Sequence, residues 1–276
     1  MVLEQVFKVQ WLEKRPRYAF VLGFVYALIG ILSARLIFKS NTGMMAVAFI
    51  SILLIPSLNK LLSDEENIEI REKKLSLRLL FKDHRDIFEI YLLMFLGIFV
   101  AFSVLSFLFP LDIINRLFAP QLAVANLSGG AILNAELMSI LLNNLIVLIA
   151  CFILSLVYGA GSVLFLTWNA SAWGAVIGFS AKLAVVQTDV SPFVFFGLFM
   201  LPIIPHLITE AASYIGAAIV GGVLSKAVLR EKIFSEKFHH ITTDSMLIGA
   251  FAFGIVLLAG VLEVHIFPLL FNSVIG

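Results

Sequence analysis

Pro202-Ile203-Ile204-Pro205-His206-Leu207-Ile208-Thr209-Glu210 sets an imidazole and a carboxylate inside an otherwise apolar segment, and the small-residue run from Ala211 to Gly222 follows directly. Proline has no backbone N–H to leave unpaired and is tolerated in the first turn of a helix. The stretch therefore predicts a helix starting at Pro205 and running to about Lys226. On that helix His206 and Glu210 are four apart and share a face. Ser213, Ala217 and Gly221 continue it with side chains small enough for a second backbone to come close. Helices in lipid associate through packing and hydrogen bonds rather than hydrophobic burial, so such a seam turns toward protein. The polar pair is expected to point into a bundle, away from acyl chains.

The composition requires that setting. Of 276 residues, 61% are hydrophobic and 13% charged, which excludes a soluble domain and describes a single all-α domain, residues 1–276, built as a polytopic transmembrane helical bundle. A net charge of +1 argues against nucleic acid as a partner. The single Cys151 lies in an apolar run, which rules out a disulfide framework and a cysteine metal site within this chain.

About seven spans are expected. The first, Tyr18 to Phe38, is longer than a signal h-region and is read as uncleaved. The next are Met44 to Leu62, kinked at Pro56, and Phe88 to Phe109, followed by Glu136 to Tyr158 and Ser162 to Gln187. Val190 to Lys226 would be about 55 Å long as one helix, against a hydrocarbon core near 30 Å. Pro192, Pro202 and Pro205 are expected to break it into a half-helix or re-entrant piece and the helix from Pro205. Ser245 to Phe267 closes the set. Residues 111–135, too polar to span and too apolar for a free loop, are placed at the outer interface as a short surface helix plus a turn. Residues 63–87 and 227–244 are read as cytoplasmic loops. In 63–87, Ile68, Leu75 and Leu79 recur at helical spacing and suit an amphipathic helix on the inner leaflet.

Basic residues orient the bundle. Lys8, Lys14, Arg15 and Arg17 precede the first span. Arg71, Lys73, Lys74, Arg78, Lys82 and Arg85 fill the first of the two loops, and Lys226, Arg230, Lys232 and Lys237 the second. The opposite side carries only Lys39 and Arg116 in its loops. The bias places the N-terminus in the cytoplasm of a multi-pass cell-membrane protein.

An ionisable group inside a span costs roughly 2.5–3.5 kcal/mol on insertion scales, so His206 and Glu210 need a reason to be there. One reason is structural: Asn143, Asn144 and Asn169 on neighbouring helices hydrogen-bond the pair and fix the bundle. Another is a transport or proton-relay site opened by the break at Pro202 and Pro205. Metal binding is the third, since the i,i+4 spacing puts two side chains on one ion. Two ligands are too few, His239, His240 and His265 are read as lying elsewhere, and no catalytic or nucleotide-binding motif is present, so neither a metal nor another cofactor is expected. Close packing is expected at Gly174 and Gly178, one turn apart, and along Ser213, Ala217 and Gly221. The latter seam serves equally within one chain or across a homo-oligomer.

The order Asn143-Asn144, then Asn169 with Gly174, then Pro205-His206 with Glu210 and a small-residue helix resembles the stage II sporulation protein M family, DUF95 membrane proteins, over about the C-terminal two thirds of the chain. The chain departs from the family pattern at Ala170 and at Leu207, where the family tends to have glycine. The resemblance implies a polytopic inner-membrane protein whose sporulation member holds cell-wall hydrolases together at the engulfing septum. The expected role is thus a non-enzymatic scaffold or complex subunit. Its partners would be the lipid bilayer and other membrane or envelope proteins, and a transporter or channel-like permease subunit is the alternative.

Overall fold

A computed structural model describes residues 12, 15–69, 85–128, 137–185, 190–233 and 235–274. Every regular element among them is helical. Seven helical stretches are long and apolar enough to cross a membrane, in the places expected from the hydrophobic runs. They begin with α1 (Arg17–Ile37), α2 (Thr42–Glu69) and α3 (Arg85–Leu108). Two short helices follow, α4 (Leu111–Leu117) and α5 (Ala119–Ser128). Next come α6 (Leu137–Tyr158), a 3-10 turn (Ala160–Ser162) and α7 (Val163–Val185). The last part comprises α8 (Pro192–Met200), α9 (Ile204–Arg230), α10 (Glu236–Val261), a π-helical turn (Leu262–Ile266) and α11 (Phe267–Val274).

Tight connections follow from the residues that make them. Asn41 closes the α1–α2 hairpin in the left-handed region, with φ 54°, which asparagine tolerates better than most side chains. Gly159, with φ 67°, turns α6 into α7, and the Ala160 amide donates to the Asn59 side chain at 3.0 Å. Pro192 stands at the start of α8 and Pro205 in the first turn of α9, with Leu201 to Ile203 forming the break between them. At nine residues α8 is about 14 Å long, well short of a crossing.

The helices form two groups. In one, α3 packs against both α1 and α7, and α1 against α2. In the other, α9 lies between α6 and α10 and also reaches α2 and α3, so it joins the halves. Gly174 and Gly178 let the α3 backbone close on α7, where an added Cβ would run into the carbonyls of Phe99 and Ser103. Gly221 does the same for α6, against the Phe152 carbonyl. The seam of buried Ser213, Ala217 and Gly221 is therefore filled within the chain.

Three boundaries differ from expectation. Residues 111–128 form two helices rather than one surface helix and a turn, and they dock onto the bundle: Ile114, Phe118 and Gln121 are fully buried, with Phe118 5.1 Å from the Phe102 ring. The expected loop 227–244 is mostly helix, because α9 continues to Arg230 and Ser235 caps α10 by accepting from the Phe238 amide. The last span does not stop at Pro268. The π turn just before it absorbs the irregularity that a proline without an N–H imposes, and the chain continues as α11. Within 63–87, α2 extends to Glu69. The amphipathic helix expected around Leu75 and Leu79, the basic N-terminal stretch at Lys8 and Lys14, and residues 129–135 lie outside the described residues.

Candidate functional site

The break before α9 determines where the imidazole lies. His206 sits in the first turn of α9, only 3% exposed, and Glu210 one turn on, 4% exposed. His206 Nε2 and Glu210 Oε2 are 3.9 Å apart. One turn further, the Tyr214 hydroxyl donates to Glu210 Oε1 at 2.8 Å, so three successive turns carry three chemically linked side chains. A third ionisable group arrives from another element. Glu263 projects from the π turn, and one ligand atom each from His206, Glu210 and Glu263 lie within 4.8 Å of one another.

Aromatic rings close around the cluster. Trp173 of α7 meets the His206 ring edge-on at 5.1 Å, and Phe267 of α11 does so at 5.9 Å. Beyond them, Phe267 touches Phe271 and Phe199 of α8 meets Phe271 edge-on at 5.6 Å, so the two short helices touch one another beside the site. The site thus lies where α7, α9 and the continuous C-terminal helix of α10 and α11 converge, at the end of α9 away from Lys226 and Arg230.

Inside this shell the polar groups are not satisfied. Both ring nitrogens of His206 and Glu210 Oε2 are buried without a hydrogen-bond partner. Buried polar atoms in native structures are nearly always paired, so three orphans within one cluster call for a physical account.

The expected asparagine partners do not provide it. Asn143 is exposed and gives its amide to Asn144 at 3.4 Å, and Asn144 keeps its own amide nitrogen buried without a partner. Asn169 donates to the Phe165 carbonyl of its own helix at 2.8 Å. Consecutive residues point about 100° apart around a helix, so Asn143 and Asn144 cannot both face inward, and the Asn169 amide is turned back along its own helix by its bond to Phe165. Of the predicted polar cluster, only His206 and Glu210 come together.

Glu263, Tyr214 and Trp173 escaped sequence reading. The signal for Glu263 was present, because a carboxylate inside an apolar span carries the same cost as Glu210. His239 and His240 were expected in a solvated loop. Both lie in the first two turns of α10, where His240 Nδ1 is 3.0 Å from Asp244 Oδ2. His265 is exposed. Lys182 donates from α7 to the Phe107 carbonyl at 3.0 Å, satisfying a C-terminal carbonyl of α3.

Comparison of the chain with protein-family models, with curated proteins and with solved structures finds no match.

Proposed function

We propose that the protein is a non-enzymatic integral membrane scaffold, or a subunit of a membrane complex, of the kind implied by its resemblance to the stage II sporulation protein M family. The supporting observation is the burial of the α9 pair: His206 and Glu210 are almost wholly removed from the surface at the junction of the two helix groups. A buried centre there fixes how the groups meet and leaves the outer faces for partners. In this reading the basic N-terminal stretch and the residues around Lys232 face the cytoplasm, α8 is a re-entrant piece entering from the opposite side, and the partners are other envelope proteins.

Gentle-detergent purification from the native host tests the proposal. A constant set of membrane or envelope proteins should accompany the chain, and a chain that purifies alone would sink it.

A permease is the second reading, favoured by the convergence of Glu210 and Glu263 beside a Pro-broken helix. Glu210→Gln separates the two. A scaffold keeps its partners with a neutral amide in place, whereas a proton-coupled carrier loses transport in reconstituted vesicles.

A further inference from the structure

We infer that His206, Glu210 and Glu263 bind one divalent transition-metal ion of the zinc type. The inference goes beyond the scaffold reading and does not depend on it. One imidazole nitrogen and two carboxylate oxygens form a recognised ligand set for such an ion, and three protein ligands leave the fourth position to water.

The geometry is close to what coordination requires. Metal–ligand distances of about 2.0–2.1 Å set tetrahedral ligands about 3.3 Å apart. His206 Nε2 and Glu210 Oε2 stand at 3.9 Å, and no pair in the triad exceeds 4.8 Å. The ligand atoms would have to draw together by about 0.6 to 1.5 Å to complete the shell, a shift within the reach of side-chain rotation. The unpartnered atoms are those the ion would take: His206 Nε2 and Glu210 Oε2 have burial but no hydrogen bond.

Charge gives the second argument. Glu210 and Glu263 bring two carboxyl groups together, no lysine or arginine among the described residues forms an ion pair with either, and a bound cation is what would let both ionise. A divalent ion with two carboxylates and a neutral imidazole sums to no net charge. The second shell fits as well, since the Tyr214 hydroxyl already holds the other oxygen of Glu210 at 2.8 Å and fixes which oxygen faces the ion. Such an ion would staple the first turn of α9 to the π turn at the end of α10, adding a bond where the two helices already pack together.

The test uses the full chain purified in detergent through an affinity tag that contains no histidine, in buffers without chelator. Metal content by mass spectrometry should be about one zinc or comparable ion per chain. Glu263→Gln and His206→Ala should each lower it at least tenfold, while Tyr214→Phe weakens Zn2+ affinity by on the order of 10- to 100-fold. The wild-type protein provides a check independent of variant folding: after chelation, added Co2+ should give the visible absorption of a tetrahedral site, and Zn2+ should raise the melting temperature. A wild-type chain that carries no metal, shows no cobalt spectrum and is not stabilised by Zn2+ overturns the assignment. Metal content unchanged in Glu263→Gln overturns it too, because the ion would then sit elsewhere. Neither result bears on which proteins co-purify.

Discussion

Tyr214 is the residue on which the order of the buried cluster turns. Its hydroxyl supplies the one well-formed hydrogen bond that Glu210 receives among the described residues, and both groups are almost fully buried. Tyr214→Phe keeps the ring and its packing but removes the donor. A lost buried hydrogen bond is worth about 1 kcal/mol, more when it strands a charged acceptor, so a lower melting temperature with an unchanged elution profile is expected. A melting curve identical to wild type would mean the bond contributes nothing to the fold. His206 and Glu210 were legible in the sequence because two ionisable groups one turn apart in an apolar run stand out. Glu263 stands out by the same cost, but its meeting with them was not legible, because it passes through a fold-back of more than fifty residues and a π turn that no local periodicity announces. The asparagines misled for the opposite reason. A polar side chain in a span demands a partner, but the demand does not say whether a neighbouring helix or its own preceding turn will supply it, and Asn169 takes the local option.

Helix packing gives a matched pair of predictions. Gly178 lies where α7 meets α3 with no room for a Cβ against the Ser103 carbonyl, a backbone atom that cannot swing aside. Gly178→Val must push the helices apart, at a cost of about 1–3 kcal/mol or more, and should abolish a monodisperse detergent preparation. Gly254, on α10, has nothing within 4 Å of the same added atom. Gly254→Ala should melt at or slightly above the wild-type temperature, since alanine is the better helix former by up to about 1 kcal/mol. Equal behaviour of the two variants would refute the packing described for α3 and α7. The spans were readable at this scale because an apolar run near twenty residues has few other fates, and small residues every fourth position identified the right faces at Gly174, Gly178 and Gly221. Short helices were harder. The segment of α4 and α5 mixes polar and apolar residues in a way that suits an interface equally well, and only packing of Phe118 against Phe102 shows that it is drawn into the bundle. Likewise, Pro268 looked like a stop because proline usually ends a helix, but a single wide turn ahead of it lets the helix proceed.

Orientation of the whole molecule follows from charge rather than from packing, and it decides which side of the membrane lies nearer the His206 cluster. Lys226, Arg230, Lys232 and Lys237 gather at one end of the bundle, whereas the turn between α1 and α2 at the other carries only Lys39. Retention of basic loops on the cytoplasmic side predicts Lys232 inside and Ser40 outside. Both positions are exposed, and the native Cys151 is fully buried, so single cysteines can be read cleanly in a Cys151→Ala background. A membrane-impermeant maleimide applied to intact cells should label Ser40→Cys at once and Lys232→Cys only after permeabilisation. With that result, the break before α9 and the aromatic shell of α8 and α11 open toward the outer leaflet, and any ion or partner bound there arrives from outside the cell. The reverse labelling pattern would turn the bundle over and place the same cluster within reach of the cytoplasm. Labelling of both positions in intact cells would show that α9 and α1 do not end on opposite faces, which the antiparallel run of seven crossing helices requires.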